Sequence, residues 1–169
     1  MGAGDTAVRR GHHITFGAIV LFSIIELSLS AWLTAQYSIH HNYTRISVRD
    51  RVRFILFCAT WTVSFGSMLM ILFYHAATGV LTSVGAHLLF LGLTWLLWTA
   101  GAAAITQTLG GGLNCKTQDL FVYCTHLNAL EGFAWLIWIL VTFAIIAVLI
   151  RGIASARRGD GYAGGLVSV

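Results

Sequence analysis

Two acids fall inside long apolar runs of this chain, and they are the first residues to ask about. Glu26 stands near the middle of one run and Glu131 near the start of another. A carboxylate at mid-bilayer depth costs roughly 3 kcal/mol on insertion scales. Glu26 is therefore expected to face other helices, protonated or hydrogen-bonded to groups such as Thr62, Ser64 or Thr94. It could serve as a proton or ion site, or as a polar contact that fixes helix packing. No Lys or Arg lies at comparable depth, which removes an ion pair, and packing is the favoured reading. Glu131 is expected near the outer end of its helix, within reach of Arg49 or Arg53. A solvated interfacial acid is the alternative.

Seven histidines raise the question of metal or haem. Bis-histidine haem ligation in a four-helix membrane bundle needs two histidines opposed at equal depth. Only His75 and His87 are placed to share a face, both at helix ends. His12, His13, His40, His41 and His126 are interfacial. No His-x-x-x-His or Cys-x-x-Cys spacing occurs, so neither a metal site nor a cofactor is expected; a bound lipid or sterol is compatible with the composition. A haem or redox protein stays as an alternative, which a missing visible absorbance band would end.

Cys115 and Cys124 share one polar connection and are expected to close a small loop as a disulfide, a bond that persists in oxidising compartments. Asn42-Tyr43-Thr44 is a glycosylation sequon, close to the end of the first apolar run. Cys58 reads as a small apolar filler. The opening Met1-Gly2-Ala3-Gly4-Asp5-Thr6 fits the loose myristoylation pattern, which is redundant in a chain already held by spans.

Six tryptophans, Trp32, Trp61, Trp95, Trp98, Trp135 and Trp138, include pairs three apart that share a helix face. They are expected to pack the bundle, with flat sterol rings as the alternative partner. Small residues four apart mark close helix crossings. Here these are Ser30 with Thr34, Thr60 with Ser64, and Ala100 with Ala104, and they serve either the internal bundle or association between copies.

The elements that carry these residues follow from composition. Of 169 residues, 57% are hydrophobic and 9% charged, against about a quarter charged in soluble domains. Such a chain cannot cover a globule with a wetted surface. Four apolar stretches approach the ~20 residues that cross ~30 Å of hydrocarbon: about Ile14–Gln36, Phe54–Tyr74, Ala86–Thr106 and Leu127–Ile150. In lipid the backbone must satisfy itself, so these read as helices. The expected fold is all-α, an up-down-up-down four-helix membrane bundle over residues 14–150. A short segment 1–13 precedes it and a flexible tail, 151–169, follows. The first run is too long for a cleaved signal peptide and lacks a small-x-small cut site. Ile39–Arg53 and Leu109–His126 read as polar connections, with Gly110-Gly111-Gly112 ending the third helix, and His75–Gly85 as a tight turn.

Four spans put both termini on one side. The positive-inside rule ties, because Arg9, Arg10, Arg151, Arg157 and Arg158 balance Arg45, Arg49, Arg51, Arg53 and Lys116. The paired cysteines and the sequon favour outward or lumenal loops and cytosolic termini. The net charge of +4 is too weakly clustered for a nucleic-acid partner.

The layout resembles the MARVEL-domain membrane proteins, especially the small fungal ones, over roughly Gly11–Gly152. The local likeness is Trp95-Leu96-Leu97-Trp98-Thr99-Ala100-Gly101-Ala102-Ala103-Ala104, followed by Cys115 and Cys124, with Ala129-Leu130-Glu131-Gly132-Phe133-Ala134-Trp135-Leu136-Ile137-Trp138 opening the fourth span. Other tetraspan families share the layout; claudins fit less well, lacking here a long first loop with a Trp and paired cysteines. The resemblance implies a non-enzymatic role in membrane microdomains, vesicle trafficking or membrane apposition, at the plasma membrane or on secretory vesicles, with homo-oligomers and membrane lipids as partners. It supplies no catalytic residue.

Overall fold

Long apolar runs without proline leave the backbone one way to satisfy its hydrogen bonds in lipid, and each run here becomes a helix. The structure is a computed structural model that describes residues 3–75 and 84–157. It contains α1 (Ala3–His40), α2 (Ile46–His75), α3 (Val84–Leu109) and α4 (Cys124–Arg157). Within them lie four segments long and apolar enough to cross a membrane: Ile14–His40, Ile46–Leu72, Gly85–Leu109 and Cys124–Ile153. Each helix packs on its neighbour in sequence, and α1 packs on α4, which closes a four-membered ring. The up-down-up-down bundle is therefore observed.

The interior is assembled from one stripe per helix. On α1 the stripe is Phe16, Ile19, Ser23, Glu26, Ser30, Leu33 and Tyr37; on α2 it is Val48, Val52, Ile55, Cys58, Thr62 and Leu69. These residues recur at three- and four-residue steps, the helical period of a single buried face. The opposite faces expose Leu21, Phe57, Met68, Leu96, Phe143 and Ile150 among others. A large apolar side chain facing outward suits lipid and would be unusual on a soluble bundle of this size.

One connection and the outer ends of α1 and α4 differ from the sequence expectation. The basic stretch before Phe54 was expected as a loop, but α2 already begins at Ile46, and only residues 41–45 link α1 to α2. Val48 and Val52 are buried there while Asp50 and Arg53 are exposed, so one apolar stripe runs on beneath the charges. Charge marked solvent exposure, not an end to the helix. Likewise α1 extends back to Ala3 and α4 forward to Arg157, beyond the apolar limits at both ends of the chain.

The third helix does end where its glycines predict. Gly110 and Gly111 take φ of 78° and 96°, and both of their amides donate to the Thr106 carbonyl, at 2.9 and 3.1 Å. That left-handed turn closes the helix at low steric cost. The expected turn between α2 and α3 falls on residues 76–83, outside those described, as do Met1, Gly2 and residues 158–169 of the tail.

Candidate functional site

Hydrogen-bonding groups on these spans must find partners inside the bundle, and five tryptophans find the same kind. Trp61 Nε1 donates to Thr94 Oγ1 at 3.2 Å, and Trp98 Nε1 to Thr62 Oγ1 at 3.0 Å, both across α2–α3. Across α3–α4, Trp95 Nε1 donates to Thr142 at 3.0 Å, Trp138 Nε1 to Thr99 at 2.8 Å and Trp135 Nε1 to Thr106 at 2.9 Å. Thr99 and Thr142 donate in turn to the carbonyls of Trp95 and Trp138, at 2.7 and 2.8 Å. The result is a reciprocal box in which each helix's tryptophan bonds to a threonine that is anchored one turn from the other tryptophan. Packing by tryptophan was legible in the sequence; its pairing with threonine was not.

The same threonines decide the surroundings of the two acids. Glu131 Oε1 accepts a hydrogen bond from Thr106 Oγ1 at 2.7 Å, and so it ends a chain that begins at the Trp135 indole. The pairing with Arg49 or Arg53 is not formed. Arg49 instead bonds to Asp50 at 3.0 Å and lies over the Tyr43 ring at 5.1 Å, while Arg53 reaches Ser38 Oγ at 3.5 Å. Because α2 is helical from Ile46, these arginines are fixed on its own first turns.

Glu26 is fully buried on α1, with Ser23 and Ser30 on the same face. The expected partners do not serve it. Thr62 is held by Trp98 and by the Cys58 carbonyl at 2.8 Å, Thr94 by Trp61, and Ser64 is exposed. Both Glu26 oxygens and the Ser23 hydroxyl have no hydrogen-bond partner among the described residues. Cys58 is buried on α2, and its thiol donates to the Leu97 carbonyl at 3.7 Å. Toward the loops the interior is closed by Leu33, Tyr37, Val48, Val52 and Ile55, each at most 1% exposed. Toward the terminal end buried polar groups continue, with Ser23, Thr62, Thr94 and then His87, whose ring meets Phe16 edge-on at 5.8 Å.

The small-residue pairs divide between inside and outside. Ser30 is buried and Thr34 half-buried, and their hydroxyls donate to the carbonyls of Glu26 and Ser30 at 2.7 Å each. Thr60, Ser64 and Ala100 face outward, and Ala104 is half-buried. Closer approaches occur at glycines: a Cβ on Gly101 would lie 2.9 Å from Ile55 Cδ1, and one on Gly66 would lie 3.2 Å from Val20 Cγ2. Between α2 and α3, Phe57, Trp61, Leu93, Leu96, Leu97 and Ala100 line an outward apolar groove of about 350 Å³.

At the loop end, Cys115 and Cys124 form the expected disulfide, nine residues apart in sequence. Asn128 clamps the same loop through two bonds to the Leu113 backbone, at 2.8 and 2.7 Å. Tyr123, Trp32 and His126 make an aromatic cluster, with Trp32 and His126 stacked at 4.3 Å. The Asn42 amide of the sequon donates to Tyr123 Oη at 3.1 Å. Arg51 donates to the Ala104 carbonyl at 2.6 Å, to Gln107 Oε1 at 3.2 Å and to Thr108 Oγ1, and so places a cation at the negative end of α3. Neither Asn128 nor Arg51 stood out in the sequence, since each works through backbone carbonyls or amides brought together only by the fold. Among the described residues, no three His, Cys, Asp or Glu side chains group as metal ligands.

No family model, curated protein or solved structure matches this chain.

Proposed function

We propose that this is a non-enzymatic four-span protein that organises membrane, through its lipid-facing surface and through contacts with its own copies. The observation that carries the reading is the outward α2–α3 face. Its groove is apolar, Ala100 forms part of its wall, and Thr60 and Ser64 stand four residues apart on the exposed side of α2. The Thr60 hydroxyl is bonded back to the Leu56 carbonyl at 2.8 Å, which leaves a compact surface for a second helix to approach. The occupant assigned to this face is the same face of a second copy, which gives an isologous pair.

The layout shared with MARVEL-domain proteins supports the same reading, and with it a role in microdomains, trafficking or membrane shape at the plasma membrane or on secretory vesicles. The disulfide supports outward or lumenal loops and cytosolic termini. Cysteine crosslinking of Ala100→Cys or Ser64→Cys in native membrane should trap a dimer, and imaging should show clusters. A uniformly dispersed monomer that leaves membrane shape unchanged would contradict the proposal. Bound sterol in the groove, with no crosslinked dimer, would assign the face to lipid instead.

A further inference from the structure

We infer that Ser23 and Glu26 form an internal proton-binding site that communicates with the terminal end of the bundle. Three oxygens, two from Glu26 and one from Ser23, lie one turn apart on the buried face of α1 without a partner among the described residues. Buried polar groups in folded proteins are nearly always paired. An uncompensated carboxylate at this depth carries a cost that a bound proton removes. The oxygens belong to a titratable acid and to a hydroxyl that can either donate or accept, which suits a site that is filled and emptied.

Calcium and magnesium take six or more oxygen ligands, and Glu26 and Ser23 supply three. The neighbouring hydroxyls of Ser30 and Thr62 donate their protons to the carbonyls of Glu26 and Cys58, so neither proton goes to the Glu26 carboxyl. A proton needs one oxygen. Helix α1 packs on α2 and α4. On α2 the buried titratable group is the Cys58 thiol, directed to the Leu97 carbonyl at 3.7 Å. On α4 the buried titratable group is Glu131, turned to Thr106. On α3 it is His87, nearer the terminal end.

Direction follows from what continues the column. Loop-side, the buried polar groups are Ser30, bonded to the Glu26 carbonyl, and Glu131, bonded by Thr106, and the other buried side chains of α1 and α2 there are Leu33, Tyr37, Val48, Val52 and Ile55. Terminal-side, Thr62, Thr94 and His87 extend the polar series. The arrangement is a one-sided site, distinct from a through channel, and it makes the packing of α1 responsive to acidity on one face of the membrane. It does not depend on association between copies.

Infrared spectroscopy of the full chain in lipid nanodiscs tests this. The parent should show a carboxylic C=O band that rises and falls with pH, and that band should be lost in Glu26→Gln. Glu26→Asp should keep it at a shifted frequency, Ser23→Ala should shift it, and Glu131→Gln should leave it in place. In sealed vesicles of known orientation, it should respond to buffer on the terminal side. Parent spectra that match Glu26→Gln across the titration would overturn the inference, even where Gln impairs folding, if the folded Asp variant also lacks the band. A band that follows sodium or potassium at fixed pH would overturn it in favour of a cation. Response to loop-side buffer alone would overturn the direction.

Discussion

Thr106 shows how much one hydroxyl carries inside a membrane bundle. It accepts from Trp135 and donates to Glu131, so Thr106→Val leaves an indole N–H and a buried acid unpaired while keeping the volume. Interhelical hydrogen bonds in membrane proteins average about 0.6 kcal/mol. The loss of two bonds, with a carboxyl exposed to an apolar surround, should cost roughly 1–2 kcal/mol. Unfolding of the variant in detergent against the parent measures it. Thr99→Val, which breaks half of the reciprocal box with Trp138, should cost less. At this scale the sequence was informative about which residues are unusual and nearly silent about partners. Glu26, Glu131 and the tryptophans stand out by type and depth. Their neighbours are set by helix rotation and crossing, which no single helix encodes. A threonine on an apolar helix looks the same whether it bonds its own carbonyl or an indole across the seam.

Between helices, the decisive residues are Gly101 and Arg51. Gly101 lets the Ile55 side chain of α2 approach the α3 backbone. Gly101→Leu should force the two helices apart and cost about 1–3 kcal/mol through overpacking, read as a lowered midpoint of thermal unfolding. Gly101→Ala should cost less, because the atom it meets is the mobile end of a side chain. Arg51 bonds the Ala104 carbonyl and the Gln107 and Thr108 side chains near the C-terminal end of α3, so Arg51→Ala should lower stability by up to about 1 kcal/mol. Arg51→Lys should retain part of it, as a cation without the planar fork. The helix existences were legible from length and hydropathy. The start of α2 at Ile46 is hidden in the sequence, because Arg49, Arg51 and Arg53 look like loop charge whether or not a helix continues beneath them. One of the three instead bonds across to α3, and another bonds across to α1. This gives a physical reason for the balanced arginine count: part of the loop-side charge is occupied by packing contacts.

Across the whole molecule, a ring of four helices encloses the polar groups and turns its large apolar side chains outward, and a stapled cap lies over the loop end. The cap depends on Cys115–Cys124, on Asn128 and on the Thr44 hydroxyl donating to the Leu120 carbonyl at 2.7 Å. Reduction of that disulfide should release loop 110–123 to protease while the helices stay folded, because the bond closes a short loop, worth roughly 2–3 kcal/mol, and crosses no helix seam. Four spans should place both ends of the chain on one face of the membrane. Membrane-impermeant thiol labelling of Thr6→Cys, Ser155→Cys and Lys116→Cys in sealed vesicles tests it most directly. Positions 6 and 155 should label from one side and position 116 from the other. Labelling of 6 and 155 from opposite sides, or of all three from the same side, would contradict it.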